Sequence, residues 1–195
     1  MSPGGHLVTT LAACAVAAAT TDSWPLVAGI AAGGFWIDVD HAIDYVVVER
    51  RRDLRPGAFL RYYLEGRVRR VVLALHSYEL FAALIALAWT TGNPWLAGYV
   101  GGGLMHLALD LAFNGEFTPR SIVAFYCFTY RALHRFDAAY LLGSGPPRRV
   151  AVGFWRAFFG GADNSCRETQ EGSPRTPPAV VLDSPDGHAS ARRRG

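Results

Sequence analysis

The chain has 195 residues, enough for one domain with a real core, and 51% of them are apolar against 18% charged. The apolar residues are clustered rather than evenly spread, which points to membrane segments and away from an ordinary soluble domain. The net charge of +3 is modest and its arginine patches accompany no nucleic-acid-binding motif, so no nucleic-acid partner is expected.

Cys14, Cys127 and Cys166 lie far apart, which excludes a disulfide framework and a thiolate metal site. The first 49 residues contain no Lys or Arg. The short apolar run near the N-terminus therefore lacks the basic start of a cleaved secretory signal.

In chain order, Pro3-Gly4-Gly5 should delay helix until His6, and residues 7–20 form an alanine-rich apolar run. A turn follows, with Ser23 as N-cap and Pro25 in the first turn of a second helix. That helix is apolar over residues 26–37, and its Gly29, Gly33 and Gly34 would let a neighbouring helix approach closely. It is expected to continue through Asp44 to Val48. Residues 49–70 are a polar, arginine-rich connection. Residues 71–90 and 95–113 are apolar segments of about 20 residues, each long enough to span a bilayer. Residues 120–142 read as a basic, aromatic amphipathic helix lying in the membrane interface. The expected fold is all-α: a multi-helix transmembrane bundle of about four membrane helices plus an interfacial amphipathic helix. Residues 1–142 form the membrane domain, and residues 143–195 a Pro/Gly/Arg-rich, largely disordered tail.

The polar residues inside these apolar runs carry the functional argument, because ionisable groups there are costly to place. In an up-and-down bundle, His6 begins the first helix and Asp38, Asp40, His41 and Asp44 end the second. His76 and Glu79 begin the third, and His106 and Asp110 end the fourth. All of them reach one end of the bundle. His76 and Glu79 are three apart and His106 and Asp110 four apart, so each pair would share a helix face. Inward-facing His and carboxylate groups build metal sites in bundles, and this donor set suits zinc, with manganese or iron as alternatives. The expected metal ligands are His6, Asp40, His41, His76, His106 and Asp110. Asp38 and Glu79 are the candidates for a catalytic base.

Arginines gather in the connections at the end that carries these residues, whereas the two opposite turns contain none. By the positive-inside rule the site should face the cytoplasm, beside lipid headgroups that the arginines attract. Membrane lipids are the expected partners.

These residues resemble the membrane-bound metal-dependent hydrolases, also described as LexA-binding, inner-membrane-associated hydrolases. That family has an early histidine, a glycine-rich helix ending in P-D-[IL]-D-H, a later H-S pair and a G-Y-x-x-H-x-x-x-D segment. Here the matches are His6, the box Ile37-Asp38-Val39-Asp40-His41, His76-Ser77, and Gly98-Tyr99 leading to His106 and Asp110, over roughly residues 4–120. Two departures stand out. Ile37 replaces the proline of the box, and Val71-Val72-Leu73-Ala74-Leu75-His76-Ser77 stands where many members read H-R-G-x-T-H-S. The missing first histidine leaves Glu79 as a substitute ligand. The resemblance implies an inner-membrane, metal-dependent hydrolase without naming a substrate; a phosphoester or ester, lipid or lipid-linked, suits the location at the cytoplasmic membrane face. The alternative is a non-enzymatic membrane protein with a structural metal or a regulatory partner.

Overall fold

The computed structural model describes residues 1–114, 121–143, 149–150 and 153–163. One compact unit covers Met1–Asn164, and the second, Ser165–Gly195, lies outside the described residues, as does most of the expected tail.

The first helix, α1 (Pro3–Thr20), starts earlier than expected. Ser2 caps it by accepting from the Gly5 amide, and Pro3 sits in the first turn, where no N–H is needed. Ser23 caps α2 (Trp24–Gly34) as expected. The second helix does not run straight to Val48. It breaks at Phe35 into a 3-10 turn (Trp36–Asp38), α3 (Val39–Ile43) and a π turn (Asp44–Val48), bent by 46° from α2. The connection that follows contains α4 (Pro56–Leu64).

The expected 71–90 span is shorter than predicted. Only α5 (Tyr78–Thr91) is helical, capped by Ser77. The preceding residues are held out of helix by two acids. Asp44 accepts from the Val72 and Leu73 amides at 2.7 and 3.0 Å, and Asp40 from the Leu75 amide at 3.0 Å. Leu73 adopts φ 43°, a left-handed conformation costly for a branched residue. Asn93 caps α6 (Pro94–Phe113), the other full-length span.

The expected interfacial helix is three short pieces: α7 (Ile122–Phe125), α8 (Phe128–Leu133) and α9 (Ala138–Leu142). Two features break it. Glu79 takes the Phe128 and Thr129 amides at 2.9 Å each and starts α8 afresh. Arg135 and Phe136, with φ 55° and 57°, then reverse the chain, so that Asp137 pairs with Arg70 in an antiparallel bridge. Beyond these, α10 (Phe154–Gly160) packs on α1 and α4, and two-residue strands β1 (Arg149–Val150) and β2 (Ala162–Asp163) pair antiparallel.

The architecture is all-α. Among the described residues two helices, α1 and α6, are long and apolar enough to cross a membrane, or three if the bent Trp24–Val48 pair counts as one span. The distribution of polarity supports this: His6, Asp40, His76, His106 and Asp110 are buried, while Val8, Leu11, Val16, Trp89 and Leu104 are exposed.

The tightest contact joins α2 and α6, which run parallel through Gly29, Gly33, Gly98 and Gly102. A Cβ on Gly33 would meet the Gly103 amide nitrogen at 2.7 Å and the Tyr99 carbonyl oxygen closer still. Small residues four apart on both helices permit this backbone approach. The buried apolar core, including Ile37, Leu73, Phe81, Leu107 and Phe125, gathers at the end where these helices finish.

Candidate metal centre

The α2–α6 contact brings the end of one helix beside the last turns of the other. His106 Nδ1 lies 2.9 Å from the Gly34 carbonyl oxygen, an obligate acceptor, so Nδ1 carries the proton and Nε2 offers a lone pair. His76 arrives from the irregular segment before α5. Its Nδ1 is 3.0 and 3.1 Å from the two oxygens of Asp40, which sets the same tautomer. The two Nε2 atoms then face each other at 3.2 Å.

Two carboxylates complete the group. Asp38 Oδ1 is 3.4 Å from both Nε2 atoms. Asp110 Oδ2 is 3.4 Å from His106 Nε2 and 3.9 Å from His76 Nε2. Asp110 is held by its other oxygen, which accepts from His6 Nε2 at 3.0 Å and Asn114 Nδ2 at 2.6 Å. The His6 ring stacks on His106 with centroids 3.8 Å apart.

Two imidazole nitrogens and two carboxylate oxygens therefore converge, an arrangement that calls for a cation: a proton on Nε2 when no metal is bound, or a metal ion in its place. Burial disfavours a charge on His76, but Asp40 and Asp38 outweigh it and hold the pKa up to about 10. The spacing also suits a metal ion. Ligand atoms on a tetrahedral zinc lie about 3.3 Å apart, given bonds of roughly 2.0–2.1 Å. Four of the five distances above are 3.2–3.4 Å, and the fifth is 3.9 Å. Buried His and Asp groups here could hold a metal ion, in three overlapping sets: His6, His106 and Asp110; Asp38, His76 and His106; Asp40, His41 and His76. Two buried imidazole nitrogens, His6 Nδ1 and His41 Nδ1, have no hydrogen-bond partner among the described residues.

The expected site residues are brought together with one exception. Glu79 stands apart: its carboxylate accepts from the Phe128 and Thr129 amides and the Cys127 thiol. Burial acts against ionisation there, but these donors hold the acid below the usual carboxylate range. The expected helix-face pairing of His76 with Glu79 also fails, because His76 precedes the helix. Asp38 and Asp40 stand on either side of His76, and Asp40 with His41 and His76 is one of the sets that could hold a metal ion. Asp38 sits at ligand distance from two imidazoles, and Asp40 holds the far nitrogen of His76. His41 borders the group, with Nε2 3.6 Å from Asp38 Oδ1.

Sequence reasoning missed three contributors. Asn114, just past the apolar segment 95–113, holds Asp110; its spacing of four from that acid was the available signal. Arg131, read as interfacial, is fully buried and donates from Nη2 to the Leu73 carbonyl at 3.0 Å, steadying the segment that carries His76. Tyr126 packs near His76, and burial, followed by the charge of Asp110, raises its phenol pKa so that it stays protonated.

A cavity of about 1000 Å³ adjoins the group and is lined by His6, Asp38, His41, His76 and Asp110 on one side. The side chains of Asp38 and His41 are each 30% exposed, whereas those of His76 and His106 are buried. The group is thus open from one direction. No family model, curated protein or solved structure matches this chain.

Proposed function

We propose that this chain is an integral-membrane, zinc-dependent hydrolase acting on an ester or phosphoester at the cytoplasmic face of the inner membrane. The observation that carries the reading is the convergence of His76 Nε2, His106 Nε2 and Asp38 Oδ1 within 3.4 Å of one another, with Asp110 beside them, at the wall of a cavity. The resemblance of His6, the 37–41 box, His76-Ser77 and the 98–110 segment to membrane-bound metal-dependent hydrolases supports it. So does the positive-inside argument for orientation.

His76, His106, Asp38 and Asp110 would hold the metal. Bound there, a metal would polarise the oxygen of the scissile group and lower the pKa of a water molecule. Asp40 and the Gly34 carbonyl orient the two imidazoles, the arrangement that tunes ligand basicity in metal sites. His41 faces the cavity and is placed to take a proton at Nε2, with Asp38 able to stabilise the charge. Tyr126, neutral and on the cavity wall, is a donor for a developing negative charge.

A structural metal is the second reading, favoured by the presence of four protein donors around one position. Metal analysis of detergent-purified protein, with an ester and phosphoester screen, separates the two. The expected result is stoichiometric zinc, lost in His106→Ala, and hydrolysis that chelation abolishes and zinc restores. Zinc without hydrolysis selects the structural reading. Absence of any transition metal from the wild-type protein, and failure to bind added zinc, overturns both.

A further inference from the structure

The cavity beside the metal centre has a lining of two kinds. Trp36, Val39 and Phe113 line it and are 65%, 45% and 59% exposed. All three belong to segments apolar enough to lie in a membrane. The lining also includes Gly66 and the exposed Arg67, which is paired to Glu65 at 2.7 Å. The rest of the wall is largely aromatic and aliphatic, including Phe59, Ile122, Phe125 and Leu142, beside the His/Asp group itself. The volume of about 1000 Å³ stands at the upper end of the range that encloses small ligands, about 300–1,000 Å³.

A water-soluble substrate has no use for apolar walls drawn from segments apolar enough to lie in a membrane. A wholly apolar one would leave the polar part of the lining and the carboxylates unmatched. An amphiphile satisfies both, with its chain against the apolar walls and its head at Asp38 and His41. We infer that the ligand of this cavity is a single-chain membrane amphiphile that enters sideways from the bilayer past Trp36, Val39 and Phe113. The inference rests on the hydrolase reading for the fate of the headgroup, but not for the binding of the chain.

The test uses the full chain in phospholipid nanodiscs and a palmitoyl lysophospholipid carrying a diazirine at the chain end. Photolabel is expected on peptides bearing Phe59, Ile122, Phe125 or Leu142, and excess unlabelled palmitoyl lysophospholipid removes it. Ala139→Trp and Leu142→Trp each place an indole at the cavity wall, on residues that are not members of the His/Asp group. Either should reduce that labelling roughly tenfold, the factor that follows from excluding about two methylenes of chain. Metal content and labelling around the outward-facing Trp89 should stay at wild-type level.

Labelling confined to outer faces such as that of Trp89, or cavity labelling that unlabelled lipid does not displace, overturns the inference even if both tryptophan variants misfold. Cavity labelling in a protein that binds no metal would sink the hydrolase reading and leave the amphiphile site standing. Bound zinc with no displaceable cavity labelling would do the reverse.

Discussion

Gly33→Ala tests whether the contact between α2 and α6 builds the proposed metal centre. The added Cβ would lie 2.7 Å from the Gly103 amide nitrogen and nearer to the Tyr99 carbonyl oxygen, where ordinary contact begins at 3.4 Å. Both neighbours are backbone, so no side chain can swing away and the helices must part by about 1 Å. Gly34 is the next residue, and its carbonyl accepts from His106 Nδ1 at 2.9 Å. A separation of that size stretches the bond past the hydrogen-bonding limit and frees the His106 ring.

The expected cost is about 1–3 kcal/mol from overpacking. Loss of a partner that orients a metal-binding histidine should weaken metal affinity about 10- to 100-fold. Gly101→Ala is the matched control, because a Cβ there meets nothing within 4 Å. It should leave both properties unchanged or slightly improved, since alanine favours helix over glycine. Thermal unfolding in detergent and zinc titration against a competing chelator measure both effects. A Gly33→Ala protein that melts and binds zinc like wild type refutes the reasoning, and so does a Gly101→Ala protein that is equally damaged.

Asp40→Asn should lower zinc affinity about 10- to 100-fold while leaving one metal per chain at saturation, since it removes charge from His76 Nδ1 rather than a ligand. Asp38→Asn should cost more, and equal losses in the same titration would contradict the separation of their positions. Glu79→Gln should keep full metal content and lose about 1 kcal/mol of stability, the scale of a weakened helix cap; loss of metal would place Glu79 in the site. Glu49 accepts from the Tyr62 hydroxyl and the Arg69 and Arg70 amides, and these donors, working against burial, depress its pKa below the ordinary 4.5. Its contribution to stability is therefore complete above pH 4.5 and disappears as pH falls through the depressed value. Melting temperatures measured downward from about pH 5 should fall more steeply for wild type than for Glu49→Gln, and parallel curves would exclude the contribution.

Much of the site was legible because histidine and aspartate stand out in apolar segments. His6, Asp38, Asp40, His41, His76, His106 and Asp110 could be found that way, and alternating helix direction placed them at one end. Cap chemistry was equally local: Ser23 starts its helix as the sequence suggests. The pattern of apolar runs likewise pointed to an all-helical fold with membrane spans, although the number of full spans is smaller than the runs implied.

Tertiary structure decided what apolar periodicity cannot express. Residues 71–77 look like the first turns of a span, yet Asp40 and Asp44 compete successfully for their amides, and the helix starts only at Tyr78. Glu79 was indistinguishable by spacing from a site acid, but α8 places unsatisfied amides beside it. Which of two neighbouring aspartates faces the imidazole Nε2 atoms depends on the bend after Gly34, and no residue count sets that angle. The sequence by itself determined which chemical groups are present and at which end of the bundle they lie. Only the fold determined which atoms meet, because a contact of 3.2 Å depends on several segments at once, whereas propensity and periodicity act along one.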